Sequence, residues 1–593
     1  MAPGGWQEIR VNGDPLFAVP EPGLAFGAAA FDEGDVVEVL LRGETPPPRM
    51  AWDGDGLASA AWWLDYTLEP GGKIRRVIAA NAQAPLVRSW RRFPWPDVAG
   101  AEEAAAMFDR EWLDAAWTWR EATTRLNPRV ARPGAMESLR MQTGWLLGVR
   151  TVMGAAEGET MESICLRVAA LLRAGRADAA RPWIERAGAG IQTNGWVPAI
   201  WRPDGRVDAP DGRAGWHASQ GQYAFMVLDY FRFTQDTAFL HETYPRLKAA
   251  LQYLAELRAE LAAEEWRLSD RDRDLVEGLL PPRVVREHSP AVHPYADQFW
   301  ALLGWKEMKA AAARLGHTED ATWAESHYRT LRAAVRRSLR ERMDRMEGFW
   351  LPGAAEDERP DPAATALLFW PCGETDLAEP HELQTTLDAF YEELLARQQP
   401  GWSGRIPASA GSLLGPLASM GRGDYAREVL YDLLNRQVPA GWHVWADAVG
   451  RDPRQPGVAG TMPDIRAAAT YLIGVRGLAA RETGARLDLF SGAPPEWLQH
   501  GNGFQVADLP TEFGLLDLSG HLHRKHLAVE IGGPARPPGG YRIWWPRQMM
   551  PERVLAKGEP IQTFDSQGVD LPHDFYGRVD VFFPSPAPWP RDP

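Results

Sequence analysis

Between residues 137 and 483 the apolar positions recur at spacings of three and four. "TQDTAFLHETYPRLKAALQYLAEL" and "GHTEDATWAESHYRTLRAAVRRSL" show the pattern clearly, and the second begins at Gly316, a helix stop. "GRADAARPWIERA" also follows a glycine and carries Asp178 in its first turns. This periodicity predicts helices over 102–122, 137–153, 161–173, 176–189, 217–235, 238–263, 294–316, 319–344, 361–371, 380–397, 405–420, 422–437 and 462–483. The flanks read differently. Residues 1–100 hold short apolar runs such as "DVVEVLLRG", "ASAAWWLDYTLEPGG" and "KIRRVIAANAQ", separated by Gly, Pro and Asp turns, which predict strands. "ARLDLFSG", "HLAVEIGG", "GYRIWWP" and "GRVDVFFPSP" predict strands again in 484–593, ahead of a Pro-rich, irregular tail.

Loop lengths turn these elements into an architecture. With 102–122 set aside as a linker helix, twelve helices remain. Turns of about two residues join 161–173 to 176–189, 217–235 to 238–263, 294–316 to 319–344 and 405–420 to 422–437, so these pairs are antiparallel hairpins. The other connections, 190–216, 264–293, 345–360 and 438–461, are long and must emerge at the opposite end. Six hairpins with long loops on one face are the plan of a mainly α, (α/α)6 toroid, flanked by N-terminal β-sandwich-like and C-terminal β segments. The division reads 1–100 N-terminal β-rich domain, 101–134 linker helix, 135–483 barrel and 484–593 C-terminal β-rich region. An α-solenoid array is the alternative, but no matching sequence returns at a fixed period.

Charge and composition then remove whole classes of function. The net charge of −15 leaves no basic excess to neutralise phosphates, so neither nucleic acid nor an anionic membrane is an expected partner. No run of about 18 apolar residues is present, and "MAPGGWQEIRVNGDP" has neither a basic nor an apolar leader segment, so a cytoplasmic location is expected. The only cysteines, Cys165 and Cys372, cannot build a disulfide framework or a Cys-based zinc site. The histidines form no HExxH or clustered triad, His288 and His293 lie five apart in a proline-containing stretch, and no phosphate-binding glycine loop follows a strand. No metal and no cofactor are therefore expected.

Trp (27) outnumbers Phe (20) and Tyr (13), and many of the tryptophans fall in Gly/Pro-rich loops: "TNGWVPAIWRPDG", "GRAGWHASQ", "EGFWLPG", "QPGWSGR" and "AGWHVWADAVG". Any one of them can simply anchor its loop; the repetition points to a cleft for flat, amphipathic ligands such as sugars.

"GQYAFMVLDYFRFTQDTAFLHETYPRLKAAL", "GLLPPRVVREHSPAVHPYADQFWALLGWKEM" and "GTMPDIRAAATYLIGVRGLAAR", set between two β regions, resemble the six-hairpin glycosidases, the group of glucoamylases, trehalases and related α-glucosidases. The resemblance covers roughly 135–515. It implies an inverting glycoside hydrolase whose two carboxyl groups come from the loops 264–293 and 438–461. In the first loop Glu287 stands between an apolar run and His288, with Tyr295 and Trp300 near, a setting that suits a proton donor. A helix-start or Arg286-paired Glu is its plain reading. Asp297 is the rival donor, or a residue that binds a sugar hydroxyl. In the second loop Asp447 of "WHVWAD" occupies the place of the usual Glu base, one methylene shorter; Asp452 reads as a surface turn and Asp464 as a helix N-cap. The expected catalytic pair is Glu287 and Asp447. Expected sugar contacts are Trp196, Trp201, Trp216, His217, Gln222, His288, Tyr295, Asp297, Trp350, Trp402, Trp442 and His443, with an oligosaccharide or small glycoside as partner. Many relatives carry an Arg-Asp pair in the first long loop. Here that stretch reads "GAAEGETMESICLRV", leaving Glu157, Glu159 or Glu162 as stand-ins, or a different or degenerate site. A phosphorylase or lyase on the same scaffold, with Arg451 and Arg454 near a phosphate, and a non-catalytic sugar-binding relative are the alternatives.

Overall fold

The computed structural model describes residues 7–11, 14–20, 25–30, 36–48, 50–52, 58–63, 66–80, 101–130, 134–148, 159–201, 216–262, 270–284, 290–346, 348–397, 406–437, 441–449, 462–499, 501–545 and 550–584. The chain divides into two compact units, Met1–Glu121 and Ala122–Pro593. In the first, strand Asp14–Val19 pairs with Gln7–Val11 and with Ala79–Ala80, and Ala25–Ala29 pairs with Ser59–Trp63. The helix expected over 102–122 spans Ala101–Thr123.

The second unit is mainly α with β-sheets at its C-terminal end. Its principal helices are α1 (Gly134–Gly148), α2 (Met161–Arg173), α3 (Ala177–Ala189), α4 (Ala218–Thr234), α5 (Thr237–Ala262), α6 (Tyr295–Leu315), α7 (Thr318–Asp344), α8 (Pro362–Phe369), α9 (Pro380–Ala396), α10 (Leu414–Ser419), α11 (Gly423–Asn435) and α12 (Ile465–Ala479). Each overlaps one of the twelve spans expected to be helical, but two expectations are corrected: 405–420 is α-helical only over Leu414–Ser419, after the short strand Ile406–Pro407 and a 3-10 turn, and the end of 462–483 leaves the helix for a strand, Ala480–Thr483. The first turns are set by their caps. Thr160 accepts from the Ser163 N–H at the start of α2, and Asp361 accepts from Ala364 with Pro362 at the first position of α8. Glu379 and Glu382 form a reciprocal box at α9, and Asp464 accepts from Ala467 at α12.

Burial sorts the helices into two kinds. Every residue of α4 from Ala218 to Tyr230 is buried, so that stretch is enclosed on all sides. On α7, by contrast, the buried set Ala324, Leu331, Val335, Ser338 and Leu339 follows one face. Contacts between the enclosed helices run in order. Helix α2 packs on α4, α4 on α6 and α6 on α8; α8 packs on α10 and on the preceding 3-10 turn Ala408–Leu413, both of these on α12, and α12 back on α2. Glycines allow the closest approach: a Cβ at Gly221 of α4 would lie 1.9 Å from the Trp300 carbonyl oxygen of α6.

Beyond α12 come β1 (Ala480–Thr483), β2 (Arg486–Leu489), β3 (Phe504–Thr511), β4 (Gly514–His523), β5 (His526–Gly532), β6 (Tyr541–Trp544), β7 (Arg553–Ala556), β8 (Glu559–Ile561), β9 (Gly568–Leu571) and β10 (Gly577–Phe582). They form a four-stranded sheet, β1-β2-β6-β9, and a six-stranded antiparallel sheet, β3-β4-β5-β10-β7-β8. In β4 the buried Leu516, Leu518 and Leu522 alternate with more exposed neighbours, the period of a sheet with one covered face. Among the described residues, no helix is long and apolar enough to cross a membrane.

Candidate active site

Four acidic residues occupy first turns or caps of the enclosed helices: Glu162 on α2, Asp297 on α6, Asp361 before α8 and Asp464 before α12. The unpaired N–H groups of a helix start favour negative charge, so acids there are stabilised locally. Two arginines tie three of these acids together. Arg283 lies on the short strand Arg283–Val284, paired with Ala291–Val292, and holds Asp297 with both arms of its guanidinium at 2.7 and 3.0 Å. The other face of the site is built by Arg466, which hydrogen-bonds Asp447 and lies 3.9 Å from Glu162 and 3.8 Å from Asp464. The Arg283 guanidinium also sits 4.3 Å above the Trp216 ring.

Beneath them a cavity of about 230 Å³ runs between α2, α6, α8, α10 and α12, with Glu162, Arg466, Asp361, Trp300 and Trp370 among its lining. Glu162 is set into this hollow yet keeps 38 % of its side-chain exposure. Burial pushes its carboxyl pKa up; Arg466 and Arg283 oppose the shift, and Asp464 and Asp297 add to it. Asp464 is raised for the same first reason, against the pull of Arg466 and the Ala467 N–H.

The segment carrying Asp447 is fixed from three sides. Ser138 Oγ of α1 meets His443 Nδ1 at 2.8 Å, and Gln142 Nε2 donates to the His443 carbonyl at 2.6 Å. Trp445 Nε1 donates to Leu433 O on α11 at 2.8 Å, and the Asp464 N–H donates to Trp445 O at 2.9 Å. Asp447 itself keeps 41 % side-chain exposure, open to water.

The sequence-derived residues divide into groups. Asp447 and Asp297 join the cluster, with Trp216 stacked on it. Trp442 is exposed beside the His443 anchor, and Trp350 is half-buried, its Nε1 donating to Glu358 O at 2.6 Å. Trp196, Trp201, His217, Gln222 and Tyr295 are buried, Tyr295 with its hydroxyl 2.8 Å from Ser338 Oγ. Glu287, His288 and Trp402 lie outside the described residues, as do Glu157 and Asp452. Glu159 is committed to Arg167 at 2.8 Å. His293 pairs with Glu356, Nδ1 to Oε1 at 2.5 Å, and among the described residues no three His, Cys, Asp or Glu are grouped to hold a metal.

Arg283 and Arg466 had escaped the sequence reading. Arg466 carried a usable signal: a cation in the first turn of α12 opposes the helix dipole and needs nearby carboxylates. Nothing local marks Arg283, whose partner is 14 residues away across a turn.

No family model matches the sequence. No curated protein matches it either. Among solved structures, the α-L-rhamnosidase of Dictyoglumus thermophilum superposes with a TM-score of 0.52 at 10% identity, covering 77% of this chain and 50% of that one. The Streptomyces avermitilis α-L-rhamnosidase complexed with L-rhamnose gives 0.49 at 13% identity, covering 77% and 42%. This chain thus spans half the length of these structures or less, and the likeness is one of fold.

Proposed function

We propose that this chain is a glycoside hydrolase on an (α/α)6 toroid, acting with inversion, with Glu287 as proton donor and Asp447 as base. The observation that carries the proposal is the set of carboxyl groups drawn together by Arg283 and Arg466 at the mouth of the inner cavity. The cyclic order of helix contacts and the fold likeness support the toroid. The neighbours' descriptions make α-L-rhamnosides the first substrates proposed.

In this reading the sugar enters the cavity and its glycosidic oxygen faces Glu287. Asp447, oriented by its hydrogen bond from Arg466, takes a proton from water as that water attacks the anomeric carbon. Glu287 delivers its proton to the departing oxygen. Glu162, kept protonated to higher pH by burial, donates a hydrogen bond to a sugar hydroxyl, and the Trp216 ring offers an apolar face. The test is hydrolysis of an aryl-glycoside panel led by the α-L-rhamnoside. The wild-type protein is expected to release the aglycone, and Glu287→Gln and Asp447→Asn each to lose on the order of 10²–10⁴ in rate. Full activity in either variant contradicts its assigned role.

A further inference from the structure

At the other end of the helical core, the turn between β3 and β4 brings Glu512 against a buried set of paired charges. Three carboxylates there each have a dedicated arginine. Arg173 of α2 binds Asp229 of α4 at 2.7 and 3.3 Å, Arg476 of α12 binds Glu482 of β1 at 2.5 and 2.7 Å, and Arg232 of α4 binds Glu307 of α6. Glu512 is the fourth acid and, among the described residues, has no arginine of its own. Its oxygens lie 3.6 Å from Arg173 Nη2 and 4.0 Å from Arg232 Nε, beyond hydrogen-bond reach of two cations already engaged. Three basic groups nearby are also committed among the described residues. Lys306 of α6 pairs with Glu374, Arg481 of β1 with Asp488 and the Gly415 carbonyl, and Arg536 with the Gly533 and Ala535 carbonyls.

We propose that Glu512 is a proton-operated latch, which docks the β3–β4 turn onto the helical core when protonated and loosens it when ionised. An excess carboxylate among ion pairs finds only cations already engaged by other acids, too little to offset its burial, and its cheapest state is neutral. Glu512, Arg232, Glu307 and Glu482 also line a cavity of about 1090 Å³, through which solvent protons reach the carboxyl. Burial, with Glu482 and Asp229 adding and Arg232 and Arg173 opposing, lifts Glu512 from 4.5 to about 7. Burial lifts Glu307 too, against Arg232's hydrogen bond, while Arg476 brings Glu482 below its ordinary value. The folded chain therefore holds the Glu512 proton where the unfolded chain has lost it. The stabilisation is complete below pH 4.5, falls as pH rises and is gone once pH passes about 7.

Glu512→Gln fixes the side chain in its uncharged form. Thermal melts of the full chain from pH 5 to 8.5 test the latch, with exposed Glu530→Gln as control and hydrogen exchange of the β3–β4 peptides, corrected for intrinsic rate, as the local readout. The expected result is a variant that melts with wild type at pH 5 and a few degrees above it at pH 8, with the wild-type turn losing protection near neutral pH and the variant turn keeping it. A melting difference that is constant across pH, absent, or lower for the variant at pH 8 overturns the proposal. So does a turn whose protection is the same at pH 5 and 8 in wild type.

Discussion

Arg466 is a cation at a helix start, where the dipole is unfavourable, with three carboxylates within 4 Å of it. Its position is explained by what it holds: it aims Asp447 through a hydrogen bond and sets a positive charge beside both Glu162 and Asp464. Replacing it with Met removes the charge but keeps the stem. Initial-rate kinetics on the cleaved glycoside should then show kcat/KM reduced on the order of 10²-fold, with circular dichroism unchanged. Arg466→Lys should fall between, because a point charge cannot span three acceptors. Glu162 gives a separate expectation. As an acid raised by burial, it adds stability while protonated and loses that contribution as pH rises through its folded pKa. Glu162→Gln should raise KM less than Glu162→Ala, since the amide still donates; equal effects of the two would remove the donor role. Asp447 and Asp297 were visible in the sequence because each sits in a distinctive aromatic context. Arg283 was not, because an ion pair across a turn leaves no periodic trace, and Arg466 showed only as a cation in the first turn of a helix.

At the level of the element, the sequence was most readable where chain-local rules act. The helices begin where capping residues stand, and the expected Asp464 cap is present. The "PDPAAT" stretch puts Asp361 before a proline at the first helical position, the ordinary signature of a start. Each cap should matter alone: Asp361→Ala is expected to cost about 1 kcal/mol, measured by urea unfolding of the full chain, with no change in m-value. The two-residue ladders Glu159–Thr160 with Ile200–Trp201 and Arg283–Val284 with Ala291–Val292 were not readable. Two residues cannot display a period of two, and these ladders exist only because the helical ends bring the loops together. They nonetheless position Glu159 and Arg283, so the least legible elements carry part of the site.

For the molecule as a whole, the short connections were enough to anticipate the packed pairs α2–α3, α4–α5, α6–α7 and α10–α11, because a turn of two residues leaves an antiparallel neighbour as the only geometry. What loop lengths could not convey is which helices become enclosed. That follows from packing, where Gly221 lets α4 and α6 meet at backbone contact. The enclosed helices α2, α6, α8 and α12 present their starts at one mouth, which gives the fold an acidic, dipole-supported rim independent of any single loop. The central claim is that Glu287 and Asp447 face one another across a scissile glycosidic bond at this rim. The most direct measurement is the carboxyl separation in a crystal structure of Glu287→Gln bound to the glycoside that wild type cleaves, measured from the Gln amide to the Asp447 carboxylate. Inversion predicts about 6.5–9.5 Å with a water between Asp447 and the anomeric carbon. A separation of about 5–5.5 Å would indicate retention instead, and a side chain at 287 pointing away from the sugar would contradict the pairing outright.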